Sequence, residues 1–78
     1  MKNFAQTIVD VIEQQDGGLH YVGGNSVNRE LFFETNTAEV DGGYLDLAYD
    51  EASMITAVKV YEGNHDGQPV VVVQILEA

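Results

Sequence analysis

The sequence predicts a small α+β domain, a two-layer arrangement in which an antiparallel β-sheet of about four strands carries one or two packed helices. Three observations point there. Apolar residues recur at helical spacing through residues 3–15. The C-terminal half holds three runs rich in β-branched and aromatic residues. Gly-Gly pairs at 17–18, 23–24 and 42–43, with a glycine-bounded cluster at 63–67, punctuate the chain into elements. The 78 residues are expected to form a single domain, 1–78, with a thin core, because a chain this short buries only about 60–65% of its unfolded surface. A hydrophobic fraction of 45% suits a globular core and not a disordered acidic tail.

Each element follows in order. Within residues 3–15, Phe4, Ile8, Val11 and Ile12 fall at i, i+4, i+7 and i+8 on one helical face, while Asp10 and Glu13 point away. Gly17 is placed to stop that helix. Residues 19–22 read as a short strand. Asn25 or Ser26 is suited to cap a short second helix over 27–35, with Val27 and Leu31 stacked one turn apart. The same stretch also alternates Leu31, Phe33 and Thr35 against Phe32 and Glu34, so helix, the favoured reading, and strand both stay open. Residues 44–49, 55–62 and 69–76 read as strands, the last two joined as a hairpin by the turn 63–67, with Pro69 at a strand start. The Val70–Val73 run shows little alternation and predicts a strand covered on both faces, on one of them by the first helix. No internal repeat is visible.

Charge is the most informative property for function. Thirteen acids against Lys2, Arg29 and Lys59 give a net charge of −10. From Glu30 to Val58 the chain carries Glu30, Glu34, Glu39, Asp41, Asp46, Asp50 and Glu51 and no Lys or Arg. Such a field repels nucleic acid and anionic membranes and attracts basic surfaces, so neither direct nucleic-acid binding nor membrane docking is expected. One reading is a solvated face that aids solubility; the sharper one is an anionic surface shaped for a cationic partner such as the DNA groove of an enzyme. Tyr21, Tyr44, Tyr49 and Tyr61 among the acids suit either amphipathic packing or a partly apolar interface. No apolar run approaches the roughly 18 residues of a membrane span, and the N-terminus does not read as a signal peptide, so a cytoplasmic protein is expected. The absence of cysteine removes disulfides, thiolate metal sites and cysteine nucleophiles.

Catalysis finds no pattern in the sequence. The glycine pairs lack phosphate-loop spacing, Ser26 and Ser53 have no nucleophile elbow, and His20, His65 and Asp66 read as structural or turn residues. The chain is expected not to be an enzyme, with no metal and no cofactor.

At Ala48-Tyr49-Asp50-Glu51 the chain resembles the phage-encoded uracil-DNA glycosylase inhibitors, small acidic DNA mimics. In that family the tetrapeptide ends the second strand, and seventeen residues lead to a proline that opens a hydrophobic strand ending in glutamine. Here residues 52–68 are also seventeen, and Pro69-Val70-Val71-Val72-Val73-Gln74 follows. Upstream, an N-terminal helix, a glycine, a short apolar strand and a polar–Ser–aliphatic step, Asn25-Ser26-Val27, keep the family's order. The resemblance covers most of the chain in order of elements and little of it in identities. It implies a non-enzymatic inhibitor, acting in a host cytoplasm if phage-encoded, that blocks the basic DNA-binding face of uracil-DNA glycosylase one-to-one. By that resemblance Glu30, Glu34, Asp46, Asp50 and Glu51 stand in for phosphates, and Asn25, Ser26 and Val27 form the docking strand. Leu31, Leu45, Val58, Val60 and Val73 line a hydrophobic pocket between helix and sheet that takes an apolar side chain of the enzyme. The neutral Asn25, the cationic Arg29 and the near absence of a fifth strand depart from the family. Two further readings stay open: an acidic decoy for another DNA-processing defence enzyme, such as a restriction or CRISPR effector, and a plain acidic interaction module.

Overall fold

The computed structural model describes residues 4–15, 18–37 and 39–76. The chain runs α1 (Phe4–Gln14), β1 (Leu19–Asn25), β2 (Glu30–Thr35), α2 (Gly42–Ser53), β3 (Val58–His65) and β4 (Gln68–Ile75). The strands form one antiparallel sheet in the order β1-β2-β4-β3. Both helices lie on one face and touch each other, α1 over β1 and α2 over β3 and β4. This is the small two-layer α+β domain that the sequence predicts.

The core sits between the layers. Ile8 and Ile12 of α1 are fully buried, joined by Val9 where the sequence pointed to Val11. They meet Ala48 and Ala52 of α2, whose small side chains allow close approach, and the inward row of the two central strands. In that row Leu31 pairs with Val73 and Phe33 with Val71. Gly17, expected to stop the first helix, lies outside the described residues.

Two expectations change. Residues 27–35 form a turn and a strand instead of a short helix. Asn25 does cap backbone amides, accepting from Val27 N at 3.0 Å and Asn28 N at 3.3 Å, but it closes a hairpin turn. Arg29 then adopts φ 58°, a left-handed conformation through which no right-handed helix runs. Beyond it the alternation prevails, with Leu31 and Phe33 buried inward and Phe32 turned to the other face. Residues 44–49, expected as a strand, lie inside α2. Asp41 starts that helix, its carboxylate accepting from Gly43 N at 2.9 Å and Tyr44 N at 3.2 Å. Leu45, Ala48 and Ala52 then keep a helical period toward the core.

The C-terminal hairpin forms as expected, but its turn tightens to Asp66-Gly67, with φ 53° and 81°, the positive pair of a type I′ turn. Val70–Val73 is buried on both faces. Its inward side is covered mainly by α2, where the sequence pointed to the first helix. On the far side no helix is needed. Val70 and Val72 lie beneath neighbours of their own face, where the His65 ring sits 5.1 Å from that of Phe32. Gly63 makes this closure possible, because a Cβ there would stand 2.7 Å from Val72 Cγ2.

The element order also contains a repeat that the sequence hides. Each half is a helix followed by a hairpin, and the halves join through β2 and β4. Ile8 and Ala48, Ile12 and Ala52, Leu31 and Val71, and Phe33 and Val73 are equivalent positions, every pair 40 residues apart. The Phe32–Val72 pair marks the approximate two-fold axis, since the Leu31–Val73 and Phe33–Val71 pairs are each other's images about it.

Gly63→Ala is expected to cost about 1–3 kcal/mol of stability by overpacking. In a Val72→Ala background that cost should shrink, which a double-mutant cycle of urea denaturation reads directly. An undiminished cost would place the strain elsewhere. Asp41→Ala should cost about 0.5–2 kcal/mol through loss of the helix cap, seen as a lower urea midpoint at unchanged slope.

Candidate functional site

The five acids named from the sequence separate into two groups. Glu30 and Glu34 lie on the open face of the sheet, on either side of Phe32. Four residues along a strand span about 13 Å, so this pair does not have the spacing of one helical turn that a helix over 27–35 would give. Glu30 is also engaged. It accepts a hydrogen bond from the Tyr61 hydroxyl, and Lys59 Nζ stands 5.5 Å from the centre of the Tyr61 ring. The hydrogen bond to Glu30, then burial, then the nearby carboxylate charge hold the Tyr61 pKa above its ordinary value.

Asp46, Asp50 and Glu51 belong to α2. Asp46 and Asp50 are exposed and one turn apart, which brings their carboxylates within reach of the roughly 6 Å spacing of i, i+4 side chains. Glu51 is half-buried and accepts from Gln15 Nε2 at 3.2 Å, tying α2 to the chain just past α1. Tyr49, next to Asp50 in the helix, is also exposed.

The first helix supplies acids that the sequence reading left out of the site. Asp10 is exposed and accepts from Gln6 Nε2 at 2.8 Å; Glu13 is exposed and accepts from Tyr21 N at 3.0 Å, where the β1 ladder is interrupted by a bulge. The signal is present in the sequence, where both fall on the outward face of the first helix. What was missing was the second helix beside it. The described cations lie on the other layer, Arg29 in the β1–β2 turn and Lys59 on the sheet. Among the described residues, the helical layer therefore exposes Asp10, Glu13, Asp46 and Asp50 and no Lys or Arg.

The remaining candidates gather differently. Asn25, Ser26, Glu30 and Leu31 converge on a cleft of about 400 Å³ beneath the β1–β2 turn, which Ala5 and Ile75 help to close. Val27 stands beside it at the turn, 89% exposed. Of the five pocket candidates only Leu31 reaches this cleft. Val58 and Val73 are buried in the core, and Leu45 and Val60 pack against it. Residues 48–51 sit in the middle of α2, with Ala48 buried, instead of at the end of a strand. Of the element order behind the glycosylase-inhibitor resemblance, the N-terminal helix and first strand are present, while residues 27–35 and 44–51 form other elements.

The nucleophile and base candidates are kept apart. His20 and His65 lie at one end of the sheet, Ser26 and Ser53 at the other. His20 Nε2 is 2.9 Å from Asn36 Oδ1, and His65 Nε2 is 3.7 Å from Asp66 Oδ2. Among the described residues no group of three or more His, Asp or Glu is arranged to hold a metal ion.

The Tyr61–Glu30 contact sets an alkaline limit. The hydroxyl keeps its proton more firmly in the folded state, so its contribution is full below the unfolded tyrosine pKa and is lost as pH rises through the folded one. Stability should therefore fall as pH rises past about 10. Tyr61→Phe is expected to flatten part of that fall in urea midpoints taken across pH 8.5–11. An identical fall in the variant would show that the contact carries none of it.

No protein-family model, curated protein or solved structure matches the chain.

Proposed function

We propose that the chain is a non-enzymatic acidic binding protein whose helical layer docks on the cationic, DNA-binding surface of another protein and stands in there for a phosphate backbone. The observation that supports this is the sorting of charge between layers. Asp10, Glu13, Asp46 and Asp50 are exposed on the two helices, while Arg29 and Lys59 belong to the sheet layer. A positively charged groove that approaches this layer meets carboxylates at helical-turn spacing and no opposing cation among the described residues, which favours fast, oriented association. Occupancy of the groove then excludes DNA. Uracil-DNA glycosylase is the first target to try because of the resemblance at residues 48–51; another DNA-processing defence enzyme fits the same charge argument.

The test is a uracil-excision assay on single-stranded uracil DNA, with the protein titrated against a bacterial glycosylase. Loss of activity near one-to-one supports both the mechanism and this target. Full activity at large excess removes the target. The broader mechanism is then tested by capture from a host lysate with elution by duplex DNA: proteins released by DNA support it, and none released by DNA overturns it. For any enzyme so inhibited, Asp46→Lys with Asp50→Lys should slow association about tenfold or more at low salt, while Glu34→Lys on the opposite face should change it far less. Equal effects at the two places would move the docking surface off the helices.

A further inference from the structure

The end of the sheet that carries the β1–β2 turn differs from the rest of the surface in two respects. First, it collects exposed apolar side chains. Val27 at the turn is 89% exposed, Leu76 just past β4 is 56% exposed, and Met54, where α2 leads into β3, is 83% exposed. Their shared location follows from the pairing, because Ile75 N donates to Arg29 O at 2.9 Å and Leu76 N to Ala57 O at 2.9 Å. The cleft of about 400 Å³, floored by Leu31 and Ile75, opens at this same end. Second, the local charge is balanced. Arg29 lies in the turn, and the last full row of the sheet reads Asn25, Glu30, Gln74, Lys59. Both described cations are here, in a molecule of net charge −10.

We infer that this end is a self-association surface on which a second copy of the chain docks about a two-fold axis, Val27 of each copy entering the other's cleft. A knob beside its own hole is self-complementary, and a two-fold axis satisfies both contacts at once. Charge selects the occupant's orientation. Two chains of −10 repel when any other faces approach, and least where Arg29 and Lys59 offset Glu30. Area sets the strength. The whole chain exposes only 4728 Å², so one end offers well below the roughly 800 Å² per partner of a stable interface. The dimer is therefore weak and concentration-dependent.

Salt separates this inference from the docking proposed above. Screening weakens attraction to a basic partner but relieves repulsion between two acidic copies, so self-association should strengthen as salt rises. Sedimentation equilibrium of the full chain from about 10 µM to 1 mM, at low salt and near 0.5 M, is expected to show the average mass rising above 8.5 kDa with concentration, more so at high salt. Val27→Ser, neutral and at an exposed turn position, should weaken the dimer about tenfold or more, and Val27→Asp at least as much. Met54→Ser, away from the knob, should have a smaller effect. A single 8.5 kDa species throughout overturns the inference, as does a dimer that Val27→Ser leaves unchanged or that rising salt dissociates. Each of these results leaves the helical docking surface untouched.

Discussion

Everything in this fold hangs on one antiparallel pairing, β2 against β4. Leu31 faces Val73 and Phe33 faces Val71 on the helix side, and Phe32 faces Val72 on the other. Those six side chains give the sheet apolar centres on both surfaces. The helix-side centre is roofed by Ile8, Ile12, Ala48 and Ala52; the open-side centre is closed by the sheet's own neighbours, where His65 lies beside Phe32 and Gly63 lets Val72 come close. With so few residues, a strand that is buried twice does the work of two. It also explains why four valines stand in a row with no polar alternation.

The same economy shapes the surface. No polar or charged side chain is buried among the described residues, so the excess of acids is carried outside, where water screens it. The carboxylates that are engaged serve local ends. Asp41 starts a helix, Glu13 occupies an amide on the bulged edge strand, and Glu51 holds the two helical segments together. Those on the outward helix faces, Asp46 and Asp50 above all, have no comparable structural duty in view. Exposed carboxylates on the helices, with no Lys or Arg beside them among the described residues, are the feature the proposed function accounts for.

Much of the fold was legible in the chain. The first helix announced itself through Phe4, Ile8 and Ile12, and the C-terminal hairpin through its β-branched runs and the glycine-bounded segment 63–67. The two misread segments share a cause. In residues 27–35 a good capping residue, Asn25, coexists with strict alternation, and the backbone of Arg29 decides between them. In residues 44–49, aromatic content outweighed Asp41 and the Leu45–Ala48–Ala52 spacing, because alanine gives a weak periodic signal although it fits a tight helix contact well. The candidate site inherited both errors. Glu30 and Glu34 move from a helix turn to the far sheet face, and Asp46 and Asp50 move from a strand to a helix, where they meet Asp10 and Glu13. The repeat was invisible for a related reason. Equivalent positions hold Ile and Ala, or Phe and Val, which share burial but not identity.

That repeat has a consequence for how the chain reaches its structure. Each helix–hairpin half closes over contacts that are near in sequence, the β3–β4 ladder over a turn of only two residues. The β2–β4 pairing that unites them joins positions about 40 residues apart. Loop-closure entropy therefore favours early closure of the two hairpins, with the central ladder expected to close after them. The β2-facing edge of the valine strand is then the last to find its partner, and the net charge of −10 keeps neighbouring chains apart during that interval.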